Sequence, residues 1–160
     1  MVKMGYENIP LNVEYVGVKK GWLTIGGKTH YFKSGFEMRW AKYLELLKTT
    51  GAITDWEYEP YKFEFEDIRS GTVFYTPDFK VIEEDSHYWY ECKGHLTQRD
   101  VVKQKRMAKY YPDEKIILAM QRIPYTYTRK SAEKVRRIDN ARKYCYRVID
   151  GSKMLKQFGL

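Results

Sequence analysis

Two extended segments joined by a short acidic loop constrain this chain more than any other feature. Thr72 to Phe79 is rich in aromatic and β-branched residues, and a second extended run closes on Tyr90-Glu91-Cys92-Lys93-Gly94. Between them Glu83-Glu84-Asp85-Ser86 is polar and short, as a hairpin loop is. Pro77 cannot donate a ladder hydrogen bond, so the first strand is expected at a sheet edge or bulged there. A bulge commonly re-aims a neighbouring side chain. Side chains alternate across a strand, so Glu91 and Lys93 share one face while Tyr90 and Cys92 point to the other. Asp78 is thereby expected beside Glu91 and Lys93. One or two carboxylates suffice to hold a hard divalent cation that keeps its waters. Such an ion lowers the pKa of a bound water and stabilises charge on a phosphoryl oxygen, which is phosphodiesterase chemistry. The pattern alone is more often that of a solvated strand face than of a site, and it gains weight only from the rest of the chain.

Glu37 adds a third carboxylate. Phe36, Trp40, Leu44 and Leu47 recur at helical spacing and predict a buried stripe, with Ser34 as N-cap and Gly51 at the C-terminal end. Glu37 falls beside that stripe, in line with Ala41 and Leu44, whereas Lys42 and Glu45 are expected on the solvated side. A carboxylate in a first turn is favoured by the helix dipole in any case.

Other segments fill out an α/β fold with a central mixed sheet of four or five strands flanked by helices. Val13–Val18, Trp22–Ile25 and Thr29–Phe32, with a Gly26-Gly27 turn, predict an N-terminal β-hairpin extension over residues 1–33. The stretch from Ile53 to Phe65 alternates apolar and polar residues and predicts a strand broken at Pro60, with Glu57 and Glu59 within reach of the site. Thr97 with Asp100 three residues on predicts a capped helix over 97–111, and Lys115–Ala119 a strand closing a core of residues 34–119. Ser131 caps a further predicted helix to about Lys143, with Val135, Ile138 and Ala141 or Arg142 inward, in a basic segment spanning 120–160.

The 160 residues suit a single domain, and 43% hydrophobic with 31% charged residues suits a core with a soluble surface. No apolar run is long enough to span a bilayer, and Met1-Val2-Lys3-Met4-Gly5 lacks a signal-peptide core. Cys92 and Cys145 make no disulfide framework, which implies a reducing cytosol and a buried Cys92 thiol. No pattern for a small-molecule cofactor is present. The formal charge of +8 favours polyanions. Lys103, Lys105, Arg106 and Lys109 on the helix after the Glu-x-Lys strand are candidate phosphate contacts, as are Arg129, Lys130, Lys134, Arg136 and Arg137. Each is also an ordinary solvated cation taken singly. Tyr125 and Tyr127 lie close enough to arginines to stack on bases, although most of the 15 tyrosines belong on strand faces.

In this order, SGFE at 34–37, YTPDF at 75–79 and YECKG at 90–94, the chain resembles the phage endonuclease I group. These are Holliday-junction resolvases of the PD-(D/E)XK nuclease superfamily, with a restriction-endonuclease-like core. The resemblance runs from about Ser34 to Ala119. It implies that Asp78 and Glu91 bind Mg²⁺, with Mn²⁺ able to substitute, and that the Cys92 backbone carbonyl adds a ligand. It further implies that Glu37 completes a second metal position or a water shell and that Lys93 orients the nucleophile. The implied partner is DNA, four-way junctions above all, cut by a homodimer in paired symmetric nicks, in the host cytoplasm for a phage-borne chain. Gln104 has a counterpart in some nucleases of the superfamily. The flanking segments find no match in that group. A nicking, restriction-like or transposon-end nuclease would use the same four residues on plain duplex. A non-catalytic DNA-binding protein of the same fold, or an RNA-directed module, are the other readings.

Overall fold

A computed structural model describes residues 13–15 and 20–160. The N-terminal pentapeptide and residues 16–18 of the first expected strand lie outside the described residues. The chain runs β1 (Val13–Tyr15), β2 (Gly21–Ile25), β3 (Lys28–Phe32), α1 (Gly35–Thr49), β4 (Asp55–Tyr58), β5 (Phe63–Glu64), β6 (Phe74–Tyr75), β7 (Phe79–Ile82), β8 (His87–Lys93), α2 (Gln98–Tyr110), β9 (Ile116–Met120), α3 (Ala132–Arg142), β10 (Arg147–Asp150) and α4 (Gly151–Gln157). The central sheet is mixed and five-stranded, in the order β10-β9-β8-β7-β4. β4, β7 and β8 are antiparallel neighbours, while β8, β9 and β10 are parallel. Parallel neighbours need a crossover, and α2 and α3 supply the two.

Alternation along the strands divides the core between the two faces of the sheet. Phe79, Val81, Tyr90, Cys92, Ile117 and Ala119 pack with Trp40, Ala41 and Leu44 of α1 and with Leu155 of α4. Trp89, Ile116, Leu118 and Met120 pack instead with Val101 and Met107 of α2, Ile138 and Ala141 of α3, and Phe63, Phe65 and Tyr75 of the small β5–β6 sheet.

Several expectations are corrected. The strand across Thr72–Phe79 is two strands: β6 ends at Tyr75, and residues 76–78 bend before β7. Pro77 therefore sits in a break and not at a sheet edge, because β7 lies between β4 and β8. The break at Pro60 is as expected, but it sends the chain into a different sheet, β5 pairing with β6. The N-terminal hairpin forms around Gly26 and Gly27, both at positive φ, and β1 adds a third strand. Leu23, Ile25 and Phe32 are buried in the same cluster as α1, so this sheet is integral to the core. Against it lies Glu45, which is buried instead of solvated and accepts the Trp56 indole N–H at 2.8 Å. β9 does not close the sheet: β10, from the basic segment, pairs beyond it. No helix among the described residues is long and apolar enough to cross a membrane.

Candidate active site

Ser34 caps α1 by accepting the Glu37 amide at 3.1 Å, and its hydroxyl donates to Glu37 Oε1 at 2.9 Å. The cap thus fixes both the start of the helix and the rotation of the carboxylate. Glu37 Oε2 also accepts the Tyr58 hydroxyl at 2.8 Å and the Lys33 amide at 3.2 Å. Only 7% of Glu37 is exposed. A first-turn glutamate with three fixed donors is held towards the interior, away from the solvated face.

Asp78 is placed by the break at Pro77. It is 8% exposed, and its Oδ2 accepts the Cys92 amide at 2.7 Å. This contact explains why β7 stops pairing with β8 at Tyr90: the next inward-facing amide of β8 is taken by a side chain. Amide and carbonyl of one strand residue point to the same side. Gln121 donates to the Lys93 carbonyl from the β9 side at 2.8 Å, so the alternating Cys92 carbonyl faces Asp78. Opposite, Glu59 donates its amide to the Asp78 carbonyl at 2.8 Å from a left-handed backbone with φ 44°. That conformation costs a non-glycine residue about 1–2 kcal/mol. Glu59 also pairs with Lys33 and lines the cleft.

Glu91, 3% exposed, sits on the α2 face of β8. Its Oε1 meets the Lys93 ammonium at 2.8 Å, and its Oε2 accepts the Tyr75 hydroxyl at 3.0 Å. Lys93 also approaches Asp100 Oδ1 at 3.5 Å, and Asp100 closes the Thr97 capping box at the start of α2. Behind Tyr75, Gln104 donates to its hydroxyl at 3.4 Å. Both side chains are about 1% exposed, and Gln104 Oε1 has no partner. Glu91 is held from behind by this buried chain, for which no local motif prepares.

These side chains share one cleft of about 460 Å³, with Glu37, Asp78, Glu91, Cys92 and Lys93 on its floor and Arg99 and Lys103 on its rim. The electrostatics are lopsided. Burial pushes the Asp78 carboxyl well above the usual carboxylate range, and the Glu91 and Glu37 charges push it further. Burial works against the Lys93 ammonium, but the Glu91 carboxylate, with Asp100 and Asp78, outweighs it and holds the group above its ordinary value. The Lys93 ammonium is thus held in place as a hydrogen-bond donor beside Glu91. The Cys92 thiol is pushed well up by burial and by Asp78, and stays protonated.

A divalent cation fits this donor set. Among the described residues no three His, Cys, Asp or Glu side chains form a ready-made cage, but Mg²⁺ needs only one or two carboxylates beside its own waters. Hard oxygen donors line the cleft, and the mutual repulsion seen at Asp78 is the charge imbalance that a cation relieves.

The structure brings Glu37, Asp78, Glu91, Cys92 and Lys93 together and adds Arg99, which sequence reasoning overlooked because it lies between the cap and the apolar stripe of α2. Of the basic candidates, Lys103 lines the cleft. Arg106 does not: its Nη1 is buried without a partner and its guanidinium lies 6.0 Å from the Phe65 ring centre. Arg137 is occupied structurally, donating to the Leu96 carbonyl at 3.1 Å and pairing with Glu133. Lys134 reaches the Gly94 carbonyl at 3.5 Å, just past the end of β8. Lys105, Lys109, Arg129, Lys130 and Arg136 are exposed and outside the cleft. Ser131 does not cap α3 through its side chain, which bonds within the 126–128 turn instead. Glu57 stays out of the cleft.

The fold and site define an α/β protein with a five-stranded mixed sheet, in which α1, the bend before β7 and strand β8 present three buried carboxylates and a paired lysine to a single cleft. The chain belongs to the family described as a protein of unknown function (DUF1064), which matches residues 18–127 and so takes in every residue of that cleft. No curated protein and no solved structure matches the chain.

Proposed function

We propose that this protein is a metal-dependent endonuclease of the PD-(D/E)XK type, cutting DNA by direct attack of water on a phosphodiester. The observation that carries the reading is the convergence of Glu37, Asp78, Glu91 and Lys93, from three separate segments, on one cleft rimmed by Arg99 and Lys103. Asp78 and Glu91, with the Cys92 carbonyl, would hold Mg²⁺, and Glu37 would hold a second position or ordered waters. When bound, the ion supplies a water activated at neutral pH and stabilises negative charge on the phosphoryl group.

The chain's own residues do the remainder. Lys93, kept protonated by Glu91, donates hydrogen bonds that orient the attacking water or a non-bridging oxygen. Arg99 and Lys103 neutralise the phosphates on either side and set the strand's path across the cleft. Water's oxygen forms the new bond to phosphorus as the bond to one sugar oxygen breaks. The departing oxygen takes up a proton, leaving one phosphate end and one hydroxyl end. Branched DNA as the preferred substrate, and a homodimer making paired nicks, follow from the resemblance of the motifs.

The test is nicking of supercoiled plasmid with Mg²⁺, with Mn²⁺, and with chelator. Asp78→Ala and Glu91→Ala are expected to lower the rate by at least about 10²–10³-fold, the loss typical of one missing group that stabilises developing charge. Binding in chelator should persist. Wild-type rates in either variant would remove the site assignment.

A further inference from the structure

A second concave surface, of about 630 Å³, lies beyond the cleft across the carboxyl ends of β9 and β10. Arg39 of α1, Arg122 after β9, and Lys153 and Lys156 of α4 converge on it from three parts of the chain. Among the described residues none of these four cations forms an ion pair with a carboxylate. The one aspartate in the surface, Asp150, is occupied in holding it together: Oδ1 accepts the Lys153 amide at 3.0 Å, and Oδ2 accepts the Ile123 amide at 3.4 Å and the Tyr125 hydroxyl at 3.3 Å. Four like charges around one concavity repel one another, and a polyanion removes that repulsion while releasing its own counterions.

Gln121 ties this surface to the strand that carries Lys93. Gln121 donates its amide to the Lys93 carbonyl at 2.8 Å, and its side chain stands so near Gly94 that an added Cβ there would lie 3.2 Å from it. Gln121 also lines the second surface. In the sheet, Lys93 is level with Met120, and Met120 with Asp150. Neighbouring strands are about 4.8 Å apart, so the basic surface begins roughly 10 Å from Lys93. That is close enough for the DNA strand that crosses the cleft to reach the surface within a few nucleotides.

We propose that this trough binds the sugar–phosphate backbone of the cut DNA a few nucleotides from the reacting phosphate, beyond the β9 side of the cleft. The assignment rests on the nuclease reading above. It makes Arg39, Arg122, Lys153 and Lys156 binding residues, none of which touches the reacting atoms.

The experiment is a salt titration of binding to a labelled 30-base-pair duplex in chelator, so that nothing is cut. It compares the wild-type chain, the pair Arg122→Gln with Lys153→Gln, and a control pair, Lys20→Gln with Lys28→Gln, which removes the same charge elsewhere. Thermal melts identify folded variants, and Arg39→Gln with Lys156→Gln tests the same trough independently. The trough pairs should make the slope of log affinity against log salt shallower by about 1.8, two phosphate contacts at about 0.9 each. The control pair should leave the slope unchanged. An unchanged slope in both trough pairs, an equal change in the control, or no DNA binding by the wild type would each overturn the proposal. Plasmid nicking runs alongside and separates the two claims. Cleavage with an unaltered slope retains the nuclease and removes the trough. A lost slope without any wild-type cleavage retains a DNA-binding trough and removes the nuclease.

Discussion

Glu91 depends on Tyr75, and Tyr75 on Gln104. The chain of donors runs from a buried amide through a buried hydroxyl to the carboxylate at 3.4 and 3.0 Å. Burial, and then the Glu91 charge, holds the Tyr75 hydroxyl well above its ordinary pKa, so it remains a donor throughout the working range. Tyr75→Phe removes that donor and strands the Gln104 amide. The expected cost is about 1–3 kcal/mol of stability, read as a lowered melting midpoint. A Gln104→Met substitution added to it should give back part of the loss, because no buried amide is then left without a partner. Strict additivity in that double-mutant cycle would contradict the linkage. Asp78, Glu91 and Lys93 were legible in the sequence because a turn and a period of two place them locally. Glu37 was legible because a capped helix has only one inward face. The hydrogen bond between Tyr75 and Gln104 was not, since it arises from two elements meeting across about thirty residues of chain. Glu45 misled for the same reason: its helical position points outward from the central sheet but into the β2–β3 sheet packed alongside.

The β2–β3 hairpin carries two predictions at the scale of an element. Gly26 and Gly27 both adopt positive φ, but a Cβ on Gly26 would lie 2.8 Å from the Glu45 carboxylate oxygens, while one on Gly27 meets nothing within 4 Å. Gly27→Ala should cost only the left-handed backbone penalty, about 1–2 kcal/mol. Gly26→Ala should cost clearly more, and equal denaturation midpoints for the two variants would contradict the packing of hairpin on helix. The second prediction concerns pH. The His30 ring is half-buried against Phe32, Trp56 and Tyr58. Burial, and next the Lys28 charge, lowers its pKa from the ordinary 6.5. The unfolded chain therefore binds the proton more readily than the folded one. The neutral ring's contribution is complete above about pH 6.5 and is lost as pH falls from there through the lower folded value. Urea midpoints at pH 7.5 and 5.0 should differ less in His30→Gln than in the wild type. Most elements were readable from caps and periodicity, as α1 and α2 illustrate. β10 was not, because four residues between two basic helices carry too little pattern to announce a strand, and only pairing with β9 creates it. The break in the 72–79 strand is not legible, because Pro77 marks a disruption, at an edge or a bulge, without saying whether the chain continues in the same sheet.

In the molecule as a whole, the sheet order decides where the cleft lies. β8 lies at the centre, antiparallel to β7 on one side and parallel to β9 on the other. Its carboxyl end therefore meets a bend from one neighbour and a basic loop from the other. The bend supplies Asp78, the capped start of α1 supplies Glu37, and the first turns of α2 supply Arg99 and Lys103. An α/β class with a mixed sheet was readable from the alternation of elements, whereas the strand order was not, because pairing partners are set by crossovers. The net charge of +8 is compatible with many partners and says nothing of which surface carries it. The fold resolves that charge into a rim at the cleft and a trough across the ends of β9 and β10. The central claim is tested most directly by single-turnover cleavage with Mg²⁺ of a four-way junction, a flap, a plain duplex and a single strand, with Asp78→Ala alongside. Paired symmetric nicks in the junction, with duplex spared and the variant inert, are the predicted result. Equal cutting of plain duplex would keep the active site and discard the junction preference. No Mg²⁺-dependent cleavage of any of the four by the wild type would contradict the account.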